Sequence, residues 1–104
     1  MPNTIGLGAM KKKVVLNQIP CKAIFSLQIP KGAEILSTGM DVFFPFIYYM
    51  CDPEQEFEER NFRLVECGEQ VWIEPGQWKY IGSFQMLSKT TEAVKHWHLF
   101  EVKC

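Results

Sequence analysis

Near the end of the chain two histidines, His96 and His98, stand one residue apart in a segment that alternates apolar and polar residues. On an extended strand such a pair projects to one side. That spacing can grip Zn²⁺ or a similar ion once a third ligand arrives from elsewhere in the fold, as a metal-dependent enzyme would require. Two partly buried rings hydrogen-bonded to neighbours have the same spacing. A second group combines guanidinium and indole. Arg60 and Arg63, with Lys79 in reach for some strand pairings, can clamp phosphates, while Trp72, Trp78 or Trp97 can stack on a base. The structural use of these residues is that the arginines pair with glutamates and the indoles fill the core. A third group is the carboxylate run Glu54, Glu56, Glu58 and Glu59. It suits a hard cation such as Ca²⁺, and equally a solvated strand end whose charges deter edge pairing.

For covalent chemistry, a cysteine beside a histidine would suffice. Cys21, Cys51, Cys67 and Cys104 are spread wide with no Cys-x-x-Cys pair, and the sequence holds no nucleophile elbow, glycine-rich phosphate loop or zinc-protease helix. The reading is a non-enzymatic chain without a cofactor. A formal net charge of −1 argues against non-specific nucleic-acid binding, which needs a surplus of Lys and Arg, and against wholesale mimicry of DNA. The aromatic share is 13%, with 8 Phe and 3 Trp, so some rings are expected to face a partner. The lysine run at residues 11–13 follows a weak apolar stretch rather than preceding a strong one. That is not a secretory signal, so a cytoplasmic protein with reduced thiols is expected, with Cys51 in the core and Cys104 a free terminal thiol.

Whatever positions these groups must accommodate residues 42–51, VFFPFIYYMC, which are greasy on both alternating faces. Phe44, Phe46, Tyr48 and Met50 point one way in an extended chain; Phe43, Ile47, Tyr49 and Cys51 point the other. The run is too short to span a bilayer, and Asp41 and Asp52 mark its ends as wet. A strand apolar on both faces is covered on both, inside the domain or by a second subunit. Phe43, Phe44, Phe46, Tyr48 and Tyr49 are therefore candidates for an oligomer interface, and a homo-oligomer is expected. Pro45 within the run predicts a bulge or an edge position.

The flanking chain reads as short strands between turn signals. Residues 1–12 form an N-terminal arm, and residues 13–104 a single β domain. A strand over 13–19 ends at Pro20. Residues 22–29 place Ala23, Phe25, Leu27 and Ile29 on one face, and after Pro30-Lys31-Gly32 a strand begins at 33–37. Thr38-Gly39, Asp52-Pro53-Glu54, Cys67-Gly68 and Glu74-Pro75-Gly76 are turn signals, the last with glycine at positive φ. In 57–65, Arg60, Phe62 and Leu64 share a face. Residues 71–73 are a short apolar bridge. In 79–86, Tyr80, Gly82, Phe84 and Met86 share a face, and Gly82 suggests a bulge or close backbone approach. Residues 87–94 read as a polar loop, and 95–102 as a last strand with His96, His98, Phe100 and Val102 on one face. The tally of about six to seven strands, with no long helix, predicts an all-β fold, a single antiparallel sandwich or small barrel.

Taken in order, residues 29–36 (IPKGAEIL), 52–54 (DPE), 60–63 (RNFR), 79–85 (KYIGSFQ) and 98–101 (HLFE) carry a resemblance. They resemble a family of small proteins of unknown function encoded by bacteriophages and prophages, over roughly residues 22–101. The chain departs from that pattern in its N-terminal arm, in its more aromatic residues 42–51, and in having Glu69-Gln70 where a Thr-Gly-His-like turn is expected. No catalytic residue carries over. The resemblance implies an accessory protein that inhibits host defence by binding a defence protein such as a CRISPR effector. Its alternative is an oligomeric sponge for a cyclic-nucleotide or ADP-ribose-type immune signal.

Overall fold

The apolar stretch forms a strand, Pro45–Cys51, that takes the middle of a three-stranded sheet. The computed structural model describes residues 10–41, 44–87 and 93–103. Among these the strands are β1 (Lys13–Gln18), β2 (Ile24–Pro30), β3 (Glu34–Met40), β4 (Pro45–Cys51), β5 (Phe57–Glu66), β6 (Trp78–Leu87) and β7 (Val94–Val102). Two antiparallel sheets, β1-β4-β3 and β2-β5-β7-β6, make an all-β sandwich with no helix among the described residues. The core between them is built by alternation. β4 turns Ile47, Tyr49 and Cys51 inward to meet Phe25 and Ile29 of β2, Phe62 and Leu64 of β5, Phe84 of β6 and Leu99 of β7.

Several local expectations change for identifiable reasons. Pro45 causes neither a bulge nor an edge. It is the first residue of a central strand, where a missing N–H is tolerated, and its carbonyl accepts from the Ile19 amide at 3.1 Å. The irregularity falls instead in β3, between Ile35 and Ser37. Thr38-Gly39 is not a turn, since β3 runs on to Met40. Gly39 lies opposite Phe46, and a Cβ there would fall 2.4 Å from the Phe46 ring, so the phenyl lies over bare backbone. Both readings of Gly82 hold. The β6–β7 register shifts between Tyr80 and Gly82, and a Cβ at Gly82 would lie 2.7 Å from the Thr38 hydroxyl. That hydroxyl donates to the Ser83 carbonyl at 3.0 Å, so β3 and β6 join the two sheets along one edge. The same bulge corrects a face assignment: Phe84 and Met86 point into the core while Tyr80 points to solvent.

Other turns form as their residues dictate. The Asp52 side chain accepts from the Glu54 amide at 2.9 Å, and Gly76 has φ of 79°. Residues 71–73 bridge nothing; they form part of an irregular connection between β5 and β6, with Trp72 and Ile73 exposed. Residues 1–9 of the expected arm, Val42 and Phe43, most of the polar loop (residues 88–92) and Cys104 lie outside the described residues.

Tyr49 belongs to the interior and is withdrawn from the interface candidates. It is only 4% exposed, and burial, with a smaller contribution from Cys51, raises its phenol above the ordinary value of 10.0. The folded chain keeps this proton at a pH where the unfolded chain has lost it. Tyr49 therefore contributes stability that is complete below pH 10.0 and is lost as pH rises through the higher folded value. Tyr49→Phe is expected to flatten the fall in stability above that pH, as read from urea melts at increasing pH. An unchanged slope would remove Tyr49 as its source.

Candidate partner-binding surface

Alternation along β5 sends its two arginines to opposite sides. Arg60 faces inward, where its guanidinium forms a two-pronged ion pair with Glu101 of β7: Nη2 donates to Oε1 at 2.7 Å and Nε to Oε2. Its Nη1 donates to the carbonyl of Ala33, just before β3 in the other sheet. The bond to Glu101 outweighs the cost of burial and holds the Arg60 pKa above its ordinary value. Arg63 faces outward. It pairs with Glu69 at 2.8 Å and donates to the carbonyls of Leu64 and Ala23, pinning the start of the β5–β6 connection to the sheet. Both arginines take glutamate partners, as their structural use requires, though neither partner comes from the run at 54–59.

Lys79 lies near Arg60. The two help line an open cleft of about 610 Å³ at one end of the larger sheet, with Lys103 and the carboxylates Glu58, Glu59 and Glu101. Three cations face three anions there, and one cation is already committed to Glu101. The cleft therefore lacks the surplus positive charge a phosphate clamp needs. The tryptophans do not gather. Trp97 packs against the core, with its indole N–H buried and without a hydrogen-bond partner among the described residues. Trp72 stands on the β5–β6 connection at 98% exposure. Trp78 lies on the outer face of the larger sheet.

That outer face holds the feature that residue types alone do not disclose. Trp78 and Tyr80 of β6 and His98 and Phe100 of β7 form a continuous ledge of rings. Phe100 lies 5.3 Å from both Trp78 and Tyr80, and Tyr80 lies 5.8 Å from His98 between centroids. The Tyr80 hydroxyl sits 3.0 Å from His98 Nδ1. Tyr80 is 51% exposed, and outward-facing Arg63 lies beside Phe100 in the β5–β7 register. Strict alternation hides Tyr80 among core residues; Gly82 is the signal that a bulge could reverse it. His96 and His98 do share the outer face, but among the described residues no group of three or more His, Cys, Asp or Glu is placed to hold a metal ion. Nor is any helix there long and apolar enough to cross a membrane.

Fold and surface together define a small antiparallel β-sandwich that presents aromatic rings on the outside of its larger sheet. The chain belongs to the family of the domain of unknown function DUF7352, whose model matches residues 10–104. No curated protein and no solved structure matches it.

Removing one member of the inward pair strands the other charge in a low-dielectric site. Arg60→Met is therefore expected to cost about 3–5 kcal/mol of stability, with much of it recovered in Arg60→Met/Glu101→Met. Arg63→Met, at the more exposed pair, is expected to cost about 1 kcal/mol. Chemical denaturation of the four proteins checks both statements, and equal losses for the two arginines would contradict the assignment.

Proposed function

We propose that this chain is a non-enzymatic, phage-encoded accessory protein that inhibits a host defence system by docking on a defence protein, as anti-CRISPR inhibitors do, in the cytoplasm of the infected bacterium. The phage context comes from the resemblance of residues 22–101. The mode of action rests on one observation: Trp78, Tyr80, His98 and Phe100 form a continuous ledge of rings on the outer face of the larger sheet, with Tyr80 exposed at its middle and the other three half-buried. Protein-binding hot spots are enriched in tryptophan and tyrosine, since an aromatic ring contributes large contact area with little loss of side-chain entropy.

The sponge is the second reading, because the same rings can stack on a base. The committed guanidiniums of Arg60 and Arg63 weigh against it, since a nucleotide signal also needs its phosphates held. Affinity capture with the tagged chain from lysate of its bacterial host is expected to retain one protein in stoichiometric amount. Tyr80→Ala and Trp78→Ala are expected to lower that retention at least about tenfold, the effect of a hot spot worth 1.4 kcal/mol or more. Calorimetry with cyclic nucleotides and ADP-ribose is expected to give no heat. Heat with a nucleotide, together with no captured protein, would replace the proposal with the sponge.

A further inference from the structure

The outer face of the smaller sheet differs in kind from the ring ledge. Its strands are in register so that outward residues form three rows across β1, β4 and β3: Val14, Met50 and Glu34; Leu16, Tyr48 and Leu36-Ser37; Gln18, Phe46 and Gly39. Glu34, at one corner, is the only charge in this grid. Val14, Leu16, Leu36 and Tyr48 are exposed at 59%, 54%, 43% and 36%, while Phe46 and Met50 are half-buried. Phe46 and Tyr48 make an edge-to-face pair with centroids 5.1 Å apart, giving the middle of the face a fixed shape. With large side chains of roughly 150–250 Å² each, these fractions leave on the order of 400–500 Å² of apolar surface, as much as the largest patch ordinarily found on a monomer.

We infer that a second copy of this chain covers this face, forming a two-fold dimer in which the two smaller sheets pack against each other. Two arguments select a copy over a different protein. The first is area: with the rim of Gln18, Ser37 and Glu34 included, the face approaches the roughly 800 Å² per partner of a standard interface. The second is charge. A two-fold axis in the plane of the face, whether along or across the strands, sets Glu34 over Val14 or Gly39 of the second copy, never over the second copy's Glu34. The carboxylates stay apart at the wet rim, so the face is complementary to itself. Interfaces between identical chains are also the more apolar kind, and this face is more apolar than the ring ledge, which carries the His98 imidazole and the Tyr80 hydroxyl. Phe46 and Tyr48 of the expected interface residues are retained, Phe44 lies just before β4 at 50% exposure, and Tyr49 is lost to the core. Val14, Leu16, Leu36 and Met50 join them. The inference does not rest on the ring ledge, so either proposal can fail alone.

Sedimentation velocity on the full chain over a range of concentrations tests it, with Leu16→Lys and Tyr48→Lys beside the wild type and far-ultraviolet circular dichroism as the check on folding. The wild type is expected at twice the chain mass of 12.1 kDa, and both variants as folded monomers. Leu16 lies exposed on a strand paired on one side only, so its variant carries the test even if Tyr48→Lys unfolds. A wild type that stays monomeric at every concentration overturns the inference, as does a folded Leu16→Lys protein that still dimerises. A monomer that self-associates only after residues 1–9 are removed would make that segment the cover, and also overturns it.

Discussion

The ion pair between Arg60 and Glu101 is the constraint around which the two sheets are arranged. Arg60 sits on β5, Glu101 on the adjoining β7, and the third guanidinium nitrogen reaches the Ala33 carbonyl where the chain begins β3 of the other sheet. Burying two charges is expensive, and their attraction offsets that cost only when geometry is good and the remaining polar groups are bonded. Here the planar fork meets both carboxylate oxygens, and the nitrogen left over finds a backbone carbonyl. Its main product is register. A one-residue slip of β7 would carry Glu101 to the outer face and leave Arg60 alone in the interior, so the pair penalises slippage more sharply than Leu99 or Phe62 can.

The same commitment shapes what the surface can do. A guanidinium bonded on three sides inside the sandwich is not available to a phosphate, and Arg63 is held by Glu69 and two carbonyls. The arginines thus serve the architecture. What the outer faces present instead is neutral rings on the larger sheet and aliphatic and aromatic side chains on the smaller one. A formal net charge of −1 gives the chain little long-range field of its own.

Much of the fold is legible in the sequence, because alternation is a direct consequence of strand geometry. The inward set Phe25, Leu27 and Ile29, the Arg60, Phe62 and Leu64 face, and the outward His96, His98 and Phe100 follow from counting by two. Counting fails where the backbone gains a residue. The bulge after Tyr80 reverses the side chains that follow, so Tyr80 leaves the company of Phe84 and Met86 and joins Phe100 across the ladder. Partner choice is the other illegible part. Glu54, Glu56, Glu58 and Glu59 are close to Arg60 in sequence, yet Glu101 is its partner, because the β5–β7 pairing sets who meets whom on the inner face.

Gly82 connects these failures to the surface they produce. A side chain there would collide with Thr38, the residue that ties β3 to β6 through the Ser83 carbonyl. Joining the sheets at this edge therefore requires a bare backbone at residue 82, and the neighbouring extra residue lets the ladder resume beyond it. Tyr80, displaced to the outside by that adjustment, gains Phe100 and His98 as neighbours and becomes the middle of the ring ledge. The outward turn of Tyr80 and the tie between the two sheets thus fall within one short stretch of β6, residues 80–83.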